Sequence, residues 1–414
     1  MTLHVDLPRK DPARPRLVHL TTTDMSLDWL LGPQLRAFAA AGYEVIGMSA
    51  PGPHVANLEA MGIRHVAVPS FTRSNDPRQD LKAVVELVRL LRAVRPDILH
   101  THNPKPGVIG RIVGRLLRVP LVVNTQHGLY AQPEDRWQRR WPVYAAERVA
   151  AAFGHAELVQ NPEDVTTLVE VLRVPEHKVR LLGNGIDLER FDPGALPPGT
   201  RDRIRAEWGI RNGEVVCGTV SRLVREKGIV ELLEAAHLLR EQGSPARLVV
   251  IGPTDGDKSD AVDEAMLERA RADGVVFTGQ RTDMPECYAA MDVFVTASWR
   301  EGFPRAAMEA AAMGLPTVGT DIRGTRQVVD DGVTGILVPV RDPMALVAAT
   351  ARLAANGTLR QTLAGDARRR STHWFDQRSV IVTTLGEYSV SRTPGLRTAV
   401  PAPPAERGRY FDAR

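Results

Sequence analysis

From Arg16 onward the chain alternates short apolar runs with longer stretches in which apolar residues recur at helical spacing. RLVHLTT, YEVIGMS, IRHVAVP, PDILHTH, PLVVNTQ, AELVQN and KVRLL are short, β-branched and bounded by turn residues, which predicts strands. Between them, DWLLGPQLRAFAAAG, DLKAVVELVRLLRAVRP and GVIGRIVGRLLRV carry the helical period and stop at Gly or Pro. Such alternation predicts a parallel sheet with helices on both faces.

The pattern breaks into Gly, Asn, Asp and Pro at LLGNGIDLERFDPGALPPG. A second alternation then begins with EVVCGTV, ARLVVIG, GVVFTG, DVFVTAS, PTVGT and GILVP. This reads as a linker followed by a second Rossmann-like domain. In its first helix Ile229, Leu232, Leu233, Ala236 and Leu239 form one apolar face, and Gly243 ends it. The fold class is therefore α/β, with two Rossmann-like domains facing a central cleft, and ligands of such sheets bind at the carboxyl ends of the strands.

Composition agrees with this and removes other classes. The 414 residues suit two to three domains, and 43% hydrophobic with 25% charged residues is the balance of a soluble globular chain. No run of eighteen apolar residues occurs, and MTLHVDLPRKDPARPR lacks the apolar stretch of a signal peptide, so a cytoplasmic location is expected. Cys217 and Cys287 sit alone inside apolar patterns and read as buried thiols.

The net charge of +4 is a property of the ends. Residues 1–16 carry +2 and residues 392–414 carry +3, which leaves the body near neutrality. No nucleic-acid partner is expected, since the body of the chain is not basic. The Pro- and Arg-rich tails, 1–15 and 392–414, read as solvated and disordered.

The densest chemistry lies in SWREGFPRAAMEAAAMGLPTVGTDIRG. Pro304 suits the first position of a helix running over Arg305–Met313, whose N-terminal N–H groups and dipole would attract a phosphate. Glu301 just before it and Glu309 inside it offer carboxylate acceptors for sugar or ribose diols. Arg222 and Lys227, in GTVSRLVREKG, follow a strand and precede a helix, where two cations can hold a diphosphate without a metal.

In GTVSRLVREKG, EGFPRAAMEAAAMGLPTV, GVTGILVPVRDP and NGIDLERFDP, taken in that ordered set, the sequence resembles the retaining family 4 glycosyltransferases of the GT-B fold over residues 16–391. ILHTHNPKPGVIGR and VVNTQHGLY are most similar to bacterial polysaccharide and lipid-linked-oligosaccharide enzymes, including N-acetylhexosaminyltransferases. The resemblance implies an acceptor domain over 16–186 and a nucleotide-sugar donor domain over 187–371. It also implies a helix over 372–391 that crosses back to the first domain.

Roles follow from the same resemblance. Arg222 and Lys227 would bind the donor diphosphate, Glu309 the ribose, and Glu301 the hydroxyls of the transferred sugar. Gly302, Phe303, Pro304 and Arg305 would meet the phosphate, and the base would stack near Arg281 and Thr282. His127 in TQHG would reach toward the donor sugar, so the catalytic set is His127, Glu301, Arg222 and Lys227. The implied reaction is retaining transfer from a UDP-sugar to a saccharide or polyprenyl-linked acceptor in cell-envelope glycan synthesis, with no cofactor and no metal.

On the acceptor side, Lys105 in NPKPG is a candidate for an acceptor phosphate. His100 and His102 alternate on one strand face and would line the cleft, with a metal pair as the lesser alternative. The first loop, TTTDMSLDW, departs from the family by lacking glycine, and Thr23, Asp24 and Ser26 would replace backbone contacts. Asp24 could equally be a helix N-terminal acid.

Asp255-Gly256-Asp257 is formally a DxD motif but reads as a turn. Cations between Arg89 and Arg118, with Trp137, Trp141 and Tyr144 among Arg136, Arg139 and Arg140, suit either peripheral contact with an anionic membrane or a solvated helix whose rings pack inward. A GT-B-fold UDP-sugar 2-epimerase and a non-catalytic nucleotide-sugar sensor are the alternatives to a transferase. Kinase, dehydrogenase and serine-hydrolase motifs do not occur.

Overall fold

The computed structural model describes residues 10–72, 76–102, 104–133, 135–254 and 260–390. The tail expected over 392–414 and the Asp255-Gly256-Asp257 turn lie outside the described residues. The described residues form two compact units, one made of the chain up to Gly183 together with the helix residues from Arg378 on, the other Asn184–Gln377.

Every strand read from the sequence is present. The first unit holds β1 (Arg16–Thr23), β2 (Glu44–Ala50), β3 (Arg64–Ala67), β4 (Ile98–His102), β5 (Leu121–Gln126), β6 (Ala156–Val159) and β7 (Val179–Leu181). All pair in parallel, in the order β3-β2-β1-β4-β5-β6-β7. Side chains alternate across the sheet, so Leu17 packs with Leu35 and Phe38 on one face while Val18 and Leu20 pack with Leu87 and Leu91 on the other. The strand order reverses between β1 and β4, where parallel sheets open a crevice at their carboxyl ends.

The second unit repeats the plan with β8 (Val215–Val220), β9 (Ala246–Ile251), β10 (Val276–Gly279), β11 (Val293–Thr296), β12 (Thr317–Thr320) and β13 (Gly335–Val338). Their order is β10-β9-β8-β11-β12-β13, which puts the reversal between β8 and β11. The helix Ile229–Glu241 lays Ile229, Leu232, Leu233 and Leu239 into the core, as its pattern predicts. Cys217 and Cys287 are buried free thiols, and burial pushes each up to about 12.

Four expectations change. The first helix is not continuous: a π-helical turn, Ser26–Leu30, precedes a helix at Gly32–Ala40, because Pro33 fits only a first helical turn. The helix expected over 372–391 is broken at Phe375–Asp376. Residues up to Trp374 end the helix Gly357–Trp374, and a new one spans Gln377–Val390. The break is held by Ile186, whose N–H donates to the Phe375 carbonyl (2.9 Å) and whose carbonyl accepts from Gln377 (3.0 Å). Beyond it, Val380 and Tyr388 are buried in the first unit's core.

The described part of the expected N-terminal tail, 10–15, is tied down. Lys10 pairs with Asp97 at 2.8 Å, and the Arg14 guanidinium donates to the Tyr43 carbonyl at 3.2 Å. Arg111, expected in a basic surface, is fully buried between Glu147 (2.5 Å) and Glu157 (2.8 Å). Asn124 and Gln126 donate to the same two carboxylates. Burial holds Glu157 above the usual carboxylate range against the pull of Arg111.

Candidate functional site

In the second unit the site grows from the ends of β8 and β11. After β8, Arg222 is half-buried, and a single turn, Arg225–Lys227, ends in Gly228 at φ 68°. A Cβ on Gly228 would lie 2.0 Å from the Ala297 carbonyl oxygen, so only glycine lets this turn close on the chain leaving β11. The closure sets Lys227 Nζ 2.6 Å from Glu301 Oε1, and Ser298 Oγ donates to the same oxygen at 2.9 Å. Glu301 Oε2 makes no bond among the described residues.

The loop carrying Glu301 is fixed from behind. Thr320 Oγ1 donates to the Ser298 carbonyl (2.6 Å), and the Trp299 N–H donates to the Glu226 carbonyl (2.9 Å). Gly324 lets the loop dock, since a Cβ there would meet the Glu301 carbonyl oxygen at 2.5 Å. A carboxylate, an ammonium and a hydroxyl are thereby held together at the strand reversal.

Gly302, Phe303 and Pro304 lead into the helix Arg305–Ala312. Pro304 is the extended cap residue (φ −72°, ψ 106°) rather than the first helical position, and Met313 lies just beyond the last. No side chain caps the first turn. The positive end of the helix dipole therefore points out beside Glu301 and Arg305, as an anion site requires.

Glu309 projects from the second turn, 4.0 Å from Arg305 and 3.0 Å from the hydroxyl of Tyr288. Burial raises its carboxyl above the usual range, while Arg305 and the Tyr288 hydrogen bond pull the other way. Arg281 and Thr282 stand apart, beyond edge strand β10. Arg281 is held by Asp283 (2.6 Å) and by Glu207, and the Thr282 carbonyl accepts from Arg190 (3.0 Å). Its clasped guanidinium presents a fixed plane.

In the first unit the candidates follow β1, β4 and β5. Thr23 Oγ1 lies 3.2 Å from Ser26 Oγ, both half-buried. Asp24 is buried, and its oxygens accept from the N–H groups of Met25 (2.9 Å) and His54 (2.8 Å). Its carboxylate thus braces the loop after β1 against the loop after β2. Lys105 opens the helix Lys105–Leu116 and pairs with Asp80 at 2.7 Å. A cation at that end opposes the helix dipole, and Asp80 is the anion that offsets it.

His102 does not line a cleft as expected. It is buried, with Nε2 3.1 Å from His19 Nδ1 and Nδ1 2.9 Å from His127 Nε2. His19 supplies the third imidazole that a His100–His102 metal pair lacked. Yet the His100 and His102 rings are stacked, 15° from parallel at 4.6 Å, so one ion cannot lie in both ring planes. His100 instead bonds Tyr388 (2.5 Å) and Thr125 (2.7 Å) through its two nitrogens. Burial lowers His19 to about 3 and holds His100 and His102 well below the usual histidine range.

The structure thus gathers Arg222, Lys227, Glu301, Gly302, Phe303, Pro304, Arg305 and Glu309 at one strand reversal, and Thr23, Ser26, Lys105 and His127 at the strand ends of the other. Sequence reasoning missed Ser298, Tyr288, His19 and Tyr388. Ser298 had a local signal, three residues before Glu301, but the other three act through folding alone.

The family model described as "Glycosyl transferases group 1" matches residues 200–370, and "Glycosyltransferase Family 4" matches 34–190. The UDP-Gal:alpha-D-GlcNAc-diphosphoundecaprenol alpha-1,3-galactosyltransferase of Escherichia coli is 30% identical over 292 residues, covering 70% of this chain and 75% of the relative. The chain belongs to glycosyltransferase family 4. This glycosyltransferase is also 26% identical over 372 residues to the capsular polysaccharide biosynthesis glycosyltransferase CapM of Staphylococcus aureus, covering 88% of the chain and 94% of CapM. Among solved structures, Anabaena HepE in complex with UDP and glucose superposes with a TM-score of 0.77 at 20% identity, covering 91% of the chain and all of HepE. The fold is GT-B, as the resemblance implied.

Proposed function

We propose that this glycosyltransferase moves a hexose or N-acetylhexosamine from a UDP-sugar to a saccharide or polyprenyl-linked acceptor, with retention of configuration and without a metal, in cell-envelope glycan synthesis. The observation that carries the reading is the Lys227–Glu301 pair beside the uncapped helix Arg305–Ala312. An ammonium has three donors, so its bond to Glu301 leaves capacity for a diphosphate. Arg222, Arg305 and the helix dipole add the positive charge that a metal ion would otherwise supply. Glu301 Oε2 would accept from hydroxyls of the sugar, and Glu309 from those of the ribose.

In this reading the anomeric C1–O bond to the diphosphate breaks as the acceptor oxygen bonds C1 on the same face. The acceptor proton passes to the departing phosphate oxygen. Lys227, Arg222 and the helix N-terminus stabilise the charge that develops there, and His127 acts on the transferred sugar. The names of two similar proteins support UDP-linked donors: a UDP-Gal-dependent enzyme acting on a diphosphoundecaprenol-linked sugar, and HepE crystallised with UDP and glucose.

A lipid-linked acceptor is also supported by the surface of the first unit. Trp137 (66%) and Trp141 (51%), one helical turn apart, are exposed rather than packed inward. Arg136 and Arg139 flank them, with the Arg139 guanidinium 5.6 Å from the exposed Tyr130 ring. Aromatic rings among guanidinium groups suit the interface of an anionic bilayer. Among the described residues no helix is long and apolar enough to cross a membrane.

The test is transfer from UDP-glucose, UDP-galactose and UDP-N-acetylglucosamine to a polyprenyl-diphosphate-linked sugar in excess EDTA, with the new linkage read by NMR. An α-linked product from an α-linked donor is expected. A β-linkage, strict dependence on added metal, or epimerised UDP-sugar without transfer contradicts the reading.

A further inference from the structure

On one face of the first sheet, four imidazoles and a phenol from four different segments meet. His19 lies on β1 opposite His100 on β4, His102 follows two residues on, His127 leaves the end of β5, and Tyr388 comes from the helix Gln377–Val390. Three of them bond in a row: His19 Nδ1 to His102 Nε2 at 3.1 Å, and His102 Nδ1 to His127 Nε2 at 2.9 Å. At the far end the Tyr388 hydroxyl lies 2.5 Å from His100 Nδ1 and 3.4 Å from His19 Nε2. The ring planes stay nearly parallel along the row, 21° apart for His19 and His102 with centroids at 5.3 Å and 22° apart for His102 and His127 at 5.1 Å, so the rings meet edge to edge with their nitrogens facing one another.

We propose that His102 is a positioning residue that sets the tautomer and ring plane of His127, with His19 and Tyr388 anchoring the far end of the row. A neutral imidazole has one donor and one acceptor, so each bond in the row needs one proton. Two patterns satisfy it, with every proton facing Tyr388 or every proton facing His127. The first of these is the one proposed: the Tyr388 hydroxyl donates to His100 Nδ1, whose Nε2 then donates to Thr125 Oγ1, and the Tyr388 oxygen accepts from His19 Nε2. His19 Nδ1 then accepts from His102 Nε2, and His102 Nδ1 accepts from His127 Nε2. His127 carries its proton on Nε2 and keeps Nδ1 as an acceptor.

Burial keeps His19 and His102 uncharged, so the pattern does not dissolve into imidazolium at neutral pH. Buried imidazoles are also costly unless every nitrogen is satisfied, which makes a row of three a poor substitute for leucines if it serves packing alone. The inference rests on the reading of His127 as a group acting on the transferred sugar.

Two substitutions in the full chain separate the two nitrogens of His102. Asparagine in His102→Asn places an amide oxygen near the position of Nδ1 and can still accept from His127, whereas His102→Gln reaches Nε2's position and abandons His127. His102→Gln should lower kcat by about 100-fold with KM for the UDP-sugar little changed, and His102→Asn should stay within about fivefold. In a His127→Ala background, His102→Gln should add nothing. Nitrogen-15 NMR of the labelled full chain should show His127 with its proton on Nε2, lost in His102→Gln and kept in His102→Asn. Equal defects in both variants, or a full extra loss in the His127→Ala background, overturn the proposal. If His127→Ala alone leaves kcat unchanged, the role given to His127 has failed, and the NMR pattern alone decides whether His102 sets its tautomer.

Discussion

Lys227 Nζ and Glu301 Oε1 stand 2.6 Å apart, although 74 residues separate them and they follow different strands. Each is about one-fifth exposed. A pair so accessible contributes little stability, about 0–1 kcal/mol. The pair holds a carboxylate acceptor next to an ammonium donor at the reversal of the second sheet, the arrangement the proposed donor site calls for.

Lys227→Ala and Glu301→Ala should each lower turnover about 100-fold or more while leaving the unfolding midpoint within about 2 °C. Steady-state kinetics with calorimetry on the same samples checks this. Near-normal turnover in either folded variant contradicts the assignment of the site.

Glu309→Gln should separate stability from binding. Because burial raises the folded-state pKa of Glu309 above its unfolded value, the folded chain holds that proton longer. The stability linked to this group therefore falls as pH rises through the window from the ordinary carboxylate value up to the raised one. Without ligand the amide variant should be more stable than the parent at pH 7 and equal to it near pH 4, while its affinity for UDP falls. Denaturant melts at both pH values check the sign, and a less stable variant at pH 7 refutes it.

Arg111→Leu should prevent stable folding of the first unit, because it strands Glu147 and Glu157 in the interior. Breaking a buried pair costs about 3–5 kcal/mol. Replacing all three members, Arg111→Leu with Glu147→Leu and Glu157→Leu, should recover part of that loss in a chemical denaturation series. A triple variant no better than the single one contradicts the account of the network.

Trp137→Ser and Trp141→Ser should each weaken co-sedimentation with anionic phosphatidylglycerol vesicles about tenfold, since removing a ring from lipid costs about 1.4 kcal/mol or more. Turnover on a soluble acceptor should not change. Absence of vesicle binding by the parent chain at low salt removes the membrane surface from the account.

Much of this was legible in the sequence, for reasons that differ by residue. The strands of both sheets announce themselves because parallel strands are buried on both faces and read as unbroken apolar runs. Glu301, Arg305 and Glu309 are legible because one helix and its leading loop carry them all. Lys227 was placed at the strand end, but its bond to Glu301 depends on β8 lying beside β11, which no local pattern encodes. His19, His102 and Tyr388 show the limit most clearly: an alternating HTH suggests lining or a metal, and only the pairing of β1 with β4 and the return of the C-terminal helix turn it into a row. Arg111 reads as one more surface cation until its partners, 36 and 46 residues away, are in view. Pro33 and the Ile186 bridge displaced helix boundaries, since single backbone hydrogen bonds decide where helices stop.

The most direct test of the central claim is thermal unfolding of the full chain with UDP, GDP and ADP in turn, in excess EDTA. Ligand at a hundred times its dissociation constant adds about 2.7 kcal/mol to the unit that binds it, which should raise the midpoint of that unit by about 5 °C or more. A shift with UDP alone, abolished in Lys227→Ala, is the predicted result. No shift with UDP in folded protein, or a shift that appears only when metal is restored, contradicts the account.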